Sequence, residues 1–149
     1  MSLEEKINAD IKTAMLAREK DKLEALRAIK SAILLAKTAG GVASEISEVE
    51  ENKLLQKLIK QRKDAAEIYT SQARQDMADP ELFQAGVIEK YLPQQLSEDE
   101  IKIEINKIIS ETGATSAKDM GKVMGVATQR LAGKADGKII SQLVKTLLV

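Results

Sequence analysis

The stretch Tyr91-Leu92-Pro93-Gln94-Gln95-Leu96-Ser97 divides the sequence into two parts. Pro93 cannot continue a helix, because its ring fixes φ and removes the backbone N–H. Ser97 opens a new helix, since Glu100 lies three residues later in the capping-box position. The stretch therefore predicts an N-terminal helical domain, residues 1–92, and a C-terminal domain, residues 93–149.

Four helices are predicted before this junction, from apolar residues that recur with helical spacing. They cover about residues 3–18, 23–37, 48–73 and 80–91. Gly40 and Gly41 are expected to end the second helix. Asp79 and Pro80 are expected to start the fourth, as a cap followed by proline at the first helical position. A merged third and fourth helix is the alternative.

Three shorter helices are predicted after the junction, covering about residues 98–111, 117–131 and 137–148. Gly113 and Gly133 are the expected stops. Ser116, with Asp119 three residues later, and Asp136 are the expected starts. The fold class is therefore all-α: a hairpin-like N-terminal part of long helices, followed by a small three-helix domain.

The composition agrees with this fold and excludes much chemistry. The 149 residues are 44% hydrophobic and include only two Tyr and one Phe, which favours helix over strand. Cys and His are both absent, so disulfides, thiolate nucleophiles and the usual metal ligands are excluded. We expect no catalytic residue, metal, cofactor or membrane span, and a cytoplasmic location.

Charge is balanced over the whole chain but not along it. The sequence has 23 basic and 23 acidic residues. Residues 97–112 carry five acids and two bases, whereas residues 113–149 carry six bases and two acids. The basic end of the chain is therefore the expected place for an anionic partner.

A second cationic cluster lies on the third predicted helix. It consists of Lys57, Lys60, Arg62 and Lys63. Phosphate contact is one interpretation. The preferred interpretation is a solvated face, balanced by Asp64 and Glu67 through ordinary pairing along the helix.

Glycines and lysines alternate in the basic C-terminal region. Gly121 and Gly125 are four apart, so they share one helix face that is bare of side chains. Either a neighbouring helix or a sugar-phosphate strand can approach such a face closely, and packing against a neighbouring helix is the preferred interpretation. Lys118 and Lys122 lie on much the same side. A second group, Gly133, Lys134, Gly137 and Lys138, forms a basic turn before a helix N-terminus, which suits phosphate.

This turn is not a nucleotide-binding P-loop. Gly133 and Gly137 enclose three residues rather than four, and Ile139 follows Lys138 where a P-loop has Ser or Thr. No strong strand precedes the turn. ATP binding is therefore not expected.

Five motifs in order along the chain carry a family resemblance. They are Ala17-Arg18-Glu19-Lys20-Asp21-Lys22 with Leu26-Arg27, Lys60-Gln61-Arg62-Lys63-Asp64-Ala65, Tyr91-Leu92-Pro93-Gln94-Gln95-Leu96, Lys118-Asp119-Met120-Gly121-Lys122-Val123-Met124 and Gly133-Lys134-Ala135-Asp136-Gly137. With these the chain resembles the YqeY family over essentially its whole length. That family is similar to the tail of the B subunit of the tRNA-dependent amidotransferase.

The resemblance implies a helical tail module that holds tRNA by shape and backbone charge. It also implies kinship with a carbon–nitrogen ligase that uses glutamine as amide donor, whose catalytic parts lie in other domains and another subunit. We therefore expect tRNA as the partner of this chain, and we expect the chain by itself not to be an enzyme. The expected RNA contacts are Lys118, Gly121, Lys122, Gly125, Gly133, Lys134, Gly137 and Lys138. The alternative is a module that docks on a translation-related protein complex without touching RNA; DNA is not an expected partner.

Overall fold

The computed structural model describes residues 1–39, 41 and 44–148, and every regular element in them is helical. The all-α fold class is thereby confirmed. The chain divides into two compact units, Met1–Leu92 and Pro93–Val149. Gly40, one of the two expected stops of the second helix, lies outside the described residues.

The N-terminal unit holds four helices and the C-terminal unit three. They are α1 (Leu3–Ala17), α2 (Lys20–Thr38), α3 (Glu48–Ser71), α4 (Gln75–Glu89), α5 (Glu98–Thr112), α6 (Met120–Arg130) and α7 (Gly137–Leu147). A 3₁₀ turn, Ala117–Asp119, leads into α6. No helix in the described ranges is both long and apolar enough to cross a membrane.

Most helix starts follow from local capping chemistry. Ser2 and Ser97 each form a full capping box. The serine Oγ accepts from the backbone N–H of the glutamate three residues later at 3.2 Å, and the carboxylate of that glutamate accepts from the serine backbone N–H. The Asp136 side chain caps α7 by accepting from the Lys138 N–H at 3.0 Å. These three predicted starts are confirmed.

The start predicted for α4 at Pro80 is wrong. Helix α3 ends where Ala73 takes a left-handed conformation, with φ at 58°, and the Arg74 N–H donates to the Tyr69 carbonyl at 2.8 Å. This tight reversal lets α4 begin at once, at Gln75, so Pro80 lies inside the helix. Helices α3 and α4 are accordingly not merged.

The core of the N-terminal unit lies between two helical hairpins. Helix α1 packs on α2, α3 packs along α4, and α2 also contacts α4. The largest fully buried side chains are Ile7, Leu26, Ile29, Leu55 and Ile88. Polar links reinforce this packing: Arg62 Nε donates to the buried Gln84 Oε1 at 3.0 Å, and the Tyr91 hydroxyl donates to the Asp10 carboxylate.

The C-terminal unit has a separate core, made where α5, α6 and α7 meet. Its largest fully buried side chains are Ile105, Ile108, Val123, Ile140 and Val144. Because these residues point inward from all three helices, the lysines on the same helices are left at the surface.

Candidate nucleic-acid interface

Residues 93–96 hold the basic turn of the C-terminal unit in place. The Leu96 N–H donates to the Lys134 carbonyl at 2.9 Å, and Gln95 Nε2 donates to the carbonyls of Gly133 and Pro93. The Leu96 side chain packs against the C-terminal core. We call these contacts the Gln95 clamp. The clamp was missed from the sequence, where residues 91–97 indicated only a junction.

Gly133 shapes the turn from inside. It is buried, and its φ of 76° is in the left-handed region that favours glycine. The N–H groups of Lys134 and Ala135 both donate to the Leu131 carbonyl, at 2.9 and 3.2 Å. Gly133, one of the predicted RNA contacts, is therefore explained by the left-handed conformation that the turn requires, and no ligand is needed to account for it.

The other three residues of the turn are exposed. Lys134, Gly137 and Lys138 lie at the surface beside Asp136. The Asp136 carboxylate already accepts from the first turn of α7, at the place where an anion is favoured by the helix dipole. What the turn offers a phosphate is therefore the side chains of Lys134 and Lys138, rather than the bare helix N-terminus.

The glycine face of α6 is open. Gly121 and Gly125 are exposed, and a methyl group built on either of them meets no heavy atom within 4 Å. A neighbouring helix does not need these glycines in order to approach. Within the described residues of the C-terminal unit, close packing of a helix therefore does not explain either glycine.

Two lysines flank this face; a local contact holds the backbone of one and the side chain of the other. Lys118 is exposed in the 3₁₀ turn, where its N–H donates to Ser116 Oγ at 3.4 Å. Lys122 Nζ lies 3.5 Å from the Thr112 carbonyl oxygen, at the C-terminus of α5. A cation is favoured at a helix C-terminus, where the carbonyl groups carry partial negative charge.

Three acids of α5 form ion pairs. Three bases pair with acids of α5, as Lys102–Glu98 (3.7 Å), Lys107–Glu104 (3.3 Å) and Arg130–Glu111. The hydrogen bond from Arg130 lowers the pKa of Glu111. Within the described ranges Lys118, Lys134 and Lys138 have no ion pair within 4 Å, so their ammonium groups are available to an anionic ligand.

The cationic cluster on α3 is a structural and solvated face, as preferred from the sequence. Lys60 pairs with Asp64 at 3.1 Å, and Lys63 pairs with Glu89 of α4 at 2.7 Å. Arg62 is turned inward and ties α3 to Gln84 of α4. Phosphate contact has little support here, because most of these charges already have partners.

A family model described as Yqey-like protein matches residues 4–148 of this chain. The chain belongs to the YqeY family. The resemblance that rested on five sequence motifs is thereby confirmed over nearly the whole chain.

This YqeY-family chain is also similar to fungal proteins named "Altered inheritance of mitochondria protein 41, mitochondrial". The one from Clavispora lusitaniae is 32% identical over 113 residues, which is 74% of this chain and 65% of the relative. The one from Meyerozyma guilliermondii is 35% identical over 86 residues, 58% of this chain and 44% of the relative. The one from Pyrenophora tritici-repentis is 28% identical over 147 residues, 96% of this chain and 79% of the relative.

The chain spans less than two thirds of the first two of these relatives. The cytoplasmic location expected from the sequence is contradicted, because all three are named as mitochondrial proteins. That expectation depended on the lack of a long apolar run in the sequence. This property does not distinguish the cytoplasm from the interior of an organelle.

Proposed function

We propose that this YqeY-family chain is a non-catalytic module whose C-terminal unit binds folded tRNA by shape and backbone charge. One observation carries the proposal: the C-terminal unit presents exposed lysines together with a helix face that is bare at Gly121 and Gly125. Lys118 and Lys122 flank that face, and Lys134 and Lys138 lie in the basic turn that follows α6.

The bare face and the lysines suit a phosphodiester strand together. A glycine face lets a backbone approach without a steric clash, and lysine side chains contact phosphates as point charges. Neutralising only a few phosphates gives weak binding that falls steeply with salt. A modest, salt-sensitive affinity is therefore part of the proposal.

The absence of aromatic residues from the C-terminal unit favours folded RNA over single-stranded RNA as the ligand. Residues 93–149 contain no Phe, Tyr or Trp. Proteins that bind single-stranded RNA usually stack its bases on aromatic side chains. Folded RNA is recognised instead through its shape, phosphates and 2′-hydroxyls. The choice of tRNA among folded RNAs is supported by the similarity of the family to the amidotransferase tail.

The same similarity supports a role without catalysis of its own. Within the described residues, no three acidic side chains are grouped so that they would hold a metal ion, and the chain has no His or Cys. The carbon–nitrogen ligase chemistry associated with the family's larger relative is, in this proposal, supplied by other proteins.

Crosslinking in cells, followed by sequencing of the RNA attached to the full chain, tests the proposal. We expect tRNA to be enriched over other RNA, and the enrichment to be lost in the double variant Lys118→Glu with Lys134→Glu. A matched variant, Lys53→Glu with Lys57→Glu on α3, makes the same charge change elsewhere and should retain tRNA. Equal recovery from both variants would refute the placement of the site.

A further inference from the structure

Helix α2 has a second side that the N-terminal core does not use. Lys20, Arg27 and Leu34 are spaced seven residues apart, and Lys30 lies three residues after Arg27 and four before Leu34. This spacing places the four residues on one face of the helix. All four are exposed, and we call them the α2 outer face.

The opposite side of α2 supplies the core contacts. Leu26, Ile29 and Ile33 are buried there. On the outer side, Leu34 is 60% exposed and its neighbour Leu35 is 71% exposed. The fold therefore does not account for these two leucines, which form an apolar end to the cationic face.

The cations of the α2 outer face lack acidic partners. Lys22 lies on another side of α2 and pairs with Glu19. Lys37, seven residues after Lys30, pairs with Glu4 and Glu45. Lys20, Arg27 and Lys30 form no ion pair within 4 Å in the part of the chain that the structure describes. Asp21 directly follows Lys20, and Glu24 lies on the same face, four residues after Lys20 and three before Arg27. Neither carboxylate forms an ion pair within 4 Å in the described residues.

We propose that the α2 outer face docks an acidic amphipathic helix of a partner protein. A helix with leucines every three or four residues, flanked by glutamates or aspartates, would cover Leu34 and Leu35 and pair with Arg27 and Lys30. The inference is independent of RNA binding, because it concerns the N-terminal unit alone.

RNA and membrane surfaces fit this face less well. A phosphodiester backbone offers charge to Arg27 and Lys30 but no apolar surface to the leucines. Stable membrane attachment needs a larger apolar face or a second anchoring signal. An acidic helix is the occupant that satisfies both the charges and the leucines.

Site-specific photocrosslinking tests this proposal in the full chain. Ser31 is exposed, four residues after Arg27 and three before Leu34, so Ser31→benzoylphenylalanine places a photoreactive group within the face. We expect a protein adduct in cells that persists after nuclease treatment. The crosslinked segment, mapped by mass spectrometry, should carry acids beside apolar residues at helical spacing.

A charge-swap measurement with the synthetic crosslinked segment completes the test. We expect the double variant Arg27→Glu with Lys30→Glu to weaken binding of this peptide at least about tenfold, and peptides with lysine in place of their acids to restore it. The matched variant Lys53→Glu with Lys57→Glu should bind normally. The proposal is overturned by an adduct to RNA, lipid or a second copy of the chain, by a segment without acids, by no adduct, or by no effect of the charge change.

Discussion

The Leu96 N–H donates to the Lys134 carbonyl at 2.9 Å, and this bond joins the start of the C-terminal unit to its basic turn. The neighbouring residue, Gln95, holds the Gly133 carbonyl in the same way. Two sequence motifs 38 residues apart are thus parts of one local structure. The position of the Lys134 backbone therefore depends on residues outside the proposed set of RNA contacts.

Loss of the Gln95 side chain should loosen this turn. Gln95→Ala removes the donor to two carbonyls, Gly133 and Pro93, and a hydrogen bond of this kind contributes about 1 kcal/mol. We expect amide exchange at Leu96, measured by NMR, to become about fivefold faster. Gln94→Ala, at an exposed neighbour, should leave the rate unchanged. Equal rates in both variants would show that the clamp adds no local stability.

A methyl group at Gly125 should separate stability from RNA binding. Gly125 lies within α6 and faces open space, so Gly125→Ala gains helix propensity of about 1 kcal/mol. We expect a higher urea midpoint together with weaker tRNA binding, because the methyl group occupies the approach path of the phosphodiester strand. A lower midpoint would mean that the glycine serves packing after all.

The left-handed residue between α3 and α4 is a site for stabilisation. Ala73 has φ at 58°, a conformation that costs an L-residue roughly 1–2 kcal/mol. We therefore expect Ala73→Gly to stabilise the chain by about 0.5–1 kcal/mol, after the entropy cost of glycine. Ala9→Gly, at an exposed position inside α1, should instead destabilise it by about 1 kcal/mol. Destabilisation by both changes, measured by urea unfolding, would contradict the strain argument.

Tyr91 should make stability depend on pH in the alkaline range. Burial raises the pKa of Tyr91 above its ordinary value of 10.0, and the hydrogen bond to Asp10 raises it further. Folding therefore favours the neutral phenol, and this contribution is complete below the unfolded pKa and is lost as the pH rises toward the folded pKa.

The test is to compare the native chain with Tyr91→Phe between about pH 8 and about pH 11. We expect the native chain to have the higher urea midpoint at the lower pH, and the difference to narrow as the pH rises. A difference in urea midpoint that stays constant across this range would contradict the raised pKa of Tyr91 in the folded chain.

The helices that begin with a capping box were predictable because their signal is local. In each capping box the serine and the glutamate satisfy each other's backbone N–H groups within one turn of the helix. The two pairs are Ser2 with Glu5 and Ser97 with Glu100. The start of α4 was not predictable in this way. Its signal is the reversal at Ala73, where alanine takes a conformation usually given to glycine, whereas Asp79 and Pro80 imitate a cap.

The exposure of the candidate lysines was predictable from the sequence, but the contacts that hold their backbone were not. Lysine and glycine spacing indicated the exposed face of α6 and the basic turn. The Gln95 clamp left no signal, because a side chain that reaches a backbone carbonyl 38 residues away requires no particular residue at the other end. The same holds for the pairing of Arg130 with Glu111, which depends on how α5 and α6 pack.

Salt-dependent binding of a purified tRNA to the full chain tests the central claim most directly. We predict that Lys118→Glu with Lys134→Glu weakens binding at low salt at least about tenfold, and lowers the slope of log affinity against log salt by about two, one for each lost phosphate contact. Lys53→Glu with Lys57→Glu should leave both affinity and slope close to those of the native chain. If the two folded double variants bind tRNA with the same affinity and slope, the RNA interface does not lie on the C-terminal lysines.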